Sequence, residues 1–150
     1  MKKFVFSLER MLNFQEQNLE KEKGVLGRIT AERDALENRR LEMEEKIALI
    51  QEEIVRREHA GTTVFILKSC YSVLESARHQ LAELQEALRI VREKLEKQRQ
   101  VVTEASQEVK KLEKLKEKQV AEYHHGEAKE QQEVIAEHVA GDFVRRGVSK

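Results

Sequence analysis

Counted in sevens from Leu12, the chain reads Leu12, Leu19, Leu26, Arg33, Arg40, Ile47 and Ile54. The companion row is Leu8, Gln15, Glu22, Ile29, Leu36, Met43 and Ile50, so ten of these fourteen positions are apolar. A second ladder is stronger. Leu67, Leu74, Leu81, Leu88, Leu95, Val102 and Val109 run beside Cys70, Ala77, Leu84, Val91, Gln98, Ala105 and Leu112, with Gln98 the one polar position of fourteen. A strict 3.5-residue repeat predicts helices that supercoil left-handed and bury their seam knobs-into-holes. Glu42/Lys46, Glu52/Arg56, Glu53/Arg57 and Glu93/Lys97 add surface pairs with the acid first, at about 0.2–0.5 kcal/mol each. Burying one leucine is worth roughly 1.5–3 kcal/mol, so the seams dominate. Each ladder needs a partner helix, because an isolated helix of this polarity is marginal in water.

The two registers do not join. From Ile54 to Leu67 is thirteen residues instead of fourteen, and Gly61-Thr62-Thr63 lies in the gap. Gly takes a positive φ at a helix C-terminus without steric cost, and Thr62 or Thr63 can cap the helix that follows. Capping chemistry and register slip therefore coincide. They predict an all-α fold: an antiparallel two-helix coiled-coil hairpin with a longer second helix, forming a single elongated domain over 1–150. The expected bounds are helix 1 at about 5–58, a turn at about 59–63, helix 2 at about 64–140 and a flexible tail over 141–150. The alternative is one very long helix in a parallel dimer, with residues 60–63 as a stutter. The hairpin reading makes the protein a monomer.

Composition agrees with long helices. The chain has no proline or tryptophan and is 37% charged, the vocabulary of coiled coils and not of a thick core. With 28 basic and 28 acidic side chains, no basic face is visible for a nucleic-acid partner. No apolar run approaches the roughly 18 residues of a membrane span, and Glu9 and Arg10 interrupt the apolar start before a secretory core can form. The single cysteine, Cys70, permits no internal disulfide. These features predict a soluble, cytoplasmic protein.

Catalytic chemistry finds little to work with. Tyr123-His124-His125, with Glu122 and His138 nearby, suggests a metal site at first sight. Adjacent histidines point about 100° apart on a helix, however, where ligands need i, i+4 spacing, so a solvated helix face is the better reading. There is no glycine-rich phosphate loop and no cleft to hold paired carboxylates. No enzyme activity, cofactor, metal or small-molecule substrate is expected. Cys70 reads as a small seam residue, and Arg33 and Arg40 as snorkelling seam exceptions.

The aromatics are more informative. Phe4, Phe6 and Phe14 lie at the start, Phe65 and Tyr71 just after the turn, and Tyr123 and Phe143 in the stretch that extends beyond the start of helix 1, with none in between. Narrow seams suit aliphatic side chains, whereas large rings either plug the open end of a seam or anchor a partner. The candidate partner-binding residues are Phe4, Phe6, Leu8, Met11, Phe65, Tyr71, Tyr123, Ile135, Val139 and Phe143. The uncharged stretch Val64-Phe65-Ile66 exceeds what a turn needs and marks a second, weaker contact surface.

Residues Phe4-Val5-Phe6-Ser7-Leu8-Glu9-Arg10-Met11-Leu12 resemble the F-x-F-x-L-E-x-h-L opening of the flagellar export protein FliJ family. The run Lys111 to Lys118 (KLEKLKEK), then Tyr123, then Glu130-Gln131-Gln132-Glu133, is similar to that family's closing region, and Gly61 followed by Tyr71 fits its hairpin. Where the family pattern often has Asp-Glu, this chain has Ala136-Glu137, so a role for an acidic pair does not carry over. The resemblance implies an antiparallel two-helix coiled coil, like the rotor-stalk coiled coil of F1-type ATPases, without enzymatic activity. It implies binding to the hexameric flagellar export ATPase and to the cytoplasmic domain of the export gate membrane protein, with possible escort of export chaperones. The location it implies is the cytoplasmic face of the membrane at the flagellar base. Rival readings are a helical-hairpin holdase chaperone, a coiled-coil component of a virulence-type secretion system and a structural spacer.

Overall fold

The computed structural model describes residues 2–148, and among them there are two helices and no strand. Helix α1 spans Glu9–Ala60 and helix α2 spans Val64–Val148. The three residues between them make the turn. Gly61 has φ +87°, a backbone conformation that side chains with a Cβ resist. Thr63 caps α2: its Oγ1 accepts from the Ile66 N–H at 3.3 Å, and its carbonyl accepts from the Leu67 N–H at 3.1 Å. The side chain thereby satisfies one of the orphan donors at the helix start, and the carbonyl accepts the first bond of the helix itself.

The helix bounds depart from the sequence expectation at both chain ends. Helix α1 begins at Glu9, not near residue 5, after a turn in which the Phe6 carbonyl accepts from the Glu9 N–H. In a helix, Phe4 and Phe6 would point roughly 200° apart. A non-helical run lets both rings reach α2. At the other end, α2 continues past 140 to Val148, because nothing in 141–148 breaks it and Arg145 and Arg146 complement the dipole of its last turn. Residues 149 and 150 lie outside the described residues.

The contacts divide the chain into two compact units. In the unit made of residues 20–103, every seam position of both helices is buried or half-buried. Ile54, Leu74, Ala77, Val91 and Leu95 are buried, and Leu88 is only 1% exposed. Polar contacts give the direction of pairing. Glu22 meets Gln98, Glu32 meets Lys94, Glu37 meets Arg92, and Glu58 meets Tyr71. The partner number falls as the α1 number rises, so the helices run antiparallel. On the α1 surface Glu53 takes its expected partner Arg57 at 2.8 Å, and it also pairs with Arg56 in place of Glu52.

The second unit joins the described residues up to Leu19 with those from Glu104 onward. Its core is Phe6, Leu12 and Val109, with Phe4, Leu8, Leu19 and Leu112 packed around them. Lys116 pairs with Glu9 at 2.9 Å across the helices. Antiparallel pairing holds here as well.

Candidate partner-binding surfaces

Ten side chains carry the sequence-based expectation of partner contact, and the structure sorts them by what covers them. Four lie together within the unit that holds both chain termini. Phe6 is 4% exposed and sits in the core cluster, so its own chain covers it in place of a partner. Leu8 and Phe4 are half-buried against that cluster. The Phe4 ring lies 5.5 Å from the Tyr123 ring, tilted by 57°, an arrangement aromatic pairs favour. The Tyr123 hydroxyl donates to the Lys2 carbonyl at 2.6 Å. These four residues build the start of the chain onto α2.

In the same unit, Met11 is exposed, and so are Ile135, Val139 and Phe143. The last three are spaced four apart on one face of α2. From Ala128 to Ala140 every residue is exposed, because α1 begins at Glu9 and the chain start reaches only as far as Tyr123. A shallow groove of about 410 Å³ leads into this face, lined by Tyr123, Glu127, Glu130, Gln131, Val134 and Ile135. Phe143 is 78% exposed among the described residues.

Beside the turn, Phe65 is 79% exposed and Val64 lies open next to it. Tyr71 is half-exposed, and its hydroxyl donates to Glu58 Oε1 at 3.1 Å. That hydrogen bond and the negative charge behind it hold the Tyr71 phenol above its usual range. A groove of about 470 Å³ opens nearby, with Leu49, Ile50, Ile66, Cys70 and Val73 on its apolar floor. Cys70 is half-buried there as a free thiol.

Leu49 and Val73 escaped the sequence reading. For Val73 a signal was present, because apolar residues recur beside the α2 seam at Ile66, Val73, Ala87 and Val101, whereas the heptad row of Leu49 holds Arg28, Ala35, Glu42 and Arg56 and gives none. A two-row count hides this third row. Phe14, exposed on the outer face of α1, belongs to no cluster of the described residues.

Among the described residues no group of three His, Cys, Asp or Glu side chains could hold a metal. His124 lies edge-on to the Tyr123 ring, and His138 faces Asp142 at 3.5 Å. No helix among these residues is long and apolar enough to cross a membrane.

Paired antiparallel helices with apolar side chains left open near the chain termini and beside the turn define a class: helical-hairpin coiled coils. Comparison narrows it. The family model for the flagellar FliJ protein matches residues 4–147, and the chain belongs to that family, a component of flagellar protein export. No curated protein and no solved structure gives a significant match.

Proposed function

We propose that this chain is a non-enzymatic, stalk-like component of the flagellar type III export apparatus that binds the export ATPase ring through the unit carrying both chain termini. The observation that carries this reading is the open face of Ile135, Val139 and Phe143, in a chain of the flagellar export family. Apolar anchors on a preformed helix bind with little ordering cost. Met11 adds a flexible contact. The residues beside the turn, Phe65 and Tyr71 with the groove floor of Leu49 and Val73, are the surface for the cytoplasmic domain of the export gate. Binding both partners would couple ATPase and gate and would hold the protein at the cytoplasmic face of the membrane at the flagellar base. Escort of export chaperones fits the same exposed surfaces.

The test is titration of the whole chain against the purified export ATPase hexamer and, separately, against the gate's cytoplasmic domain. Saturable binding to each with a defined stoichiometry is expected. Broad, weak association with many unfolded proteins and no saturable binding to either partner would favour a holdase and overturn the reading.

A further inference from the structure

The α2 seam is apolar at every position from Leu67 to Leu112 except Gln98, and that amide is not idle. Gln98 Nε2 donates to the Glu22 backbone carbonyl at 3.0 Å and to Glu22 Oε2 at 2.5 Å, with both residues half-buried. The one polar position of α2 thus meets the one acidic seam position of α1. We infer that the Glu22–Gln98 layer is the register lock of the hairpin, and that it acts with the seam arginines Arg33 and Arg40 to reject parallel pairing of two chains.

Geometry explains the lock. A hydrogen bond fails within a fraction of an ångström, whereas leucine layers tolerate exchange. Sliding α2 by one heptad would put Val91 or Ala105 at the layer of Glu22, and neither side chain has a donor. The carboxylate would then be half-buried without a partner. One polar core position that fixes register at a cost in stability is an established device of coiled coils.

The rejection rests on the difference between the seams. The α2 seam alone would make a good parallel zipper with a second copy. The α1 seam would not, because in-register parallel pairing would set Glu22 against Glu22, Arg33 against Arg33 and Arg40 against Arg40. Like charges in a seam disfavour the wrong partner. Within the hairpin these arginines find acidic partners on their own helix: Arg33 donates to Asp34 at 2.9 Å, and Arg40 lies 2.8 Å from Glu37, although its buried Nε has no acceptor among the described residues. The three-residue connection also holds α1 at high effective concentration over the α2 seam.

The test uses the full chain as wild type, Glu22→Leu, Gln98→Leu and the double variant, each followed by light scattering over a concentration series and by thermal melting. The lock predicts single-chain mass for the wild type. The double variant should melt higher than the wild type and higher than either single variant, yet show a two-chain species that grows with concentration. Adding Arg33→Leu and Arg40→Leu should raise the two-chain fraction further. A wild type at two-chain mass, a double variant that stays single at every concentration, or single variants that melt as high as the double would each overturn the inference.

Discussion

The Tyr123 hydroxyl donates to the backbone carbonyl of Lys2 at 2.6 Å, tying the start of the chain to a helix 121 residues away in sequence. The Phe4 ring packs on the same tyrosine. The non-helical run before Glu9 is therefore held by side-chain contacts, where a helix would have been held by its own backbone.

Tyr123→Phe keeps the ring and deletes the donor. A hydrogen bond of this kind contributes about 0.5–1.5 kcal/mol net, and the loss should fall on the segment before Glu9. Amide exchange of residues 2–8 should quicken by a few-fold while total helicity is unchanged. Equal exchange in both proteins would mean that the packing of Phe4 and Phe6 alone holds the segment.

Phe6→Ala and Phe143→Ala should differ sharply although both remove a phenyl ring. Phe6 is buried with Leu12 and Val109, and truncating a buried phenylalanine costs about 3–5 kcal/mol. Phe143 is 78% exposed, and surface changes stay within about 0.5 kcal/mol. Thermal melting checks this: the midpoint should drop for Phe6→Ala and hold for Phe143→Ala.

At the turn, Gly61→Ala should destabilise even though open space surrounds the position. The cause is backbone strain at φ +87°, roughly 1–2 kcal/mol for an alanine there. Thr63→Ala removes the cap to Ile66 and should cost about 1 kcal/mol. Denaturant midpoints of the two variants report both effects.

Glu37 supplies a pH test. The hydrogen bond from the Arg92 guanidinium holds its carboxyl below the ordinary value of 4.5, against an opposing push from desolvation and with help from the charge of Arg40. A carboxylate depressed in the folded state stabilises it above the unfolded pKa and loses that contribution as pH falls through the folded value. The Glu37–Arg92 contribution is thus complete at neutral pH and fades only in acid below about pH 4.5. Resolved carboxyl titration should show the Glu37 midpoint rising in Arg92→Leu. An unmoved midpoint would mean that the pair is absent in solution. Being exposed, the pair should also weaken as salt is added.

Much of the fold was legible because a seam is a periodic signal. Leu67 through Leu112 announce their burial by spacing alone, and Gly61 with Thr63 announce the break by chemistry. The helix start was not legible, because the contest between continuing a helix and burying Phe4 and Phe6 is settled by α2 residues more than a hundred positions away. The same holds for Phe6 as a contact residue: sequence shows that a ring is present, but only the fold shows that Val109 covers it. Phe65, Ile135, Val139 and Phe143 were legible as contact candidates because nothing in the heptad pattern gives them a partner. Leu49 and Val73 were hidden because a groove beside a seam forms only once two helices are aligned.

The claim that the open face of α2 meets the export ATPase is tested most directly by measuring ATPase-ring affinity for the full chain carrying Ile135→Ser, Val139→Ser and Phe143→Ser, beside a Phe65→Ser control. The account predicts at least a tenfold loss for the triple variant, about 1.4 kcal/mol, with helicity retained and with Phe65→Ser binding like the wild type. Unchanged affinity in the triple variant, or loss in Phe65→Ser alone, would contradict it.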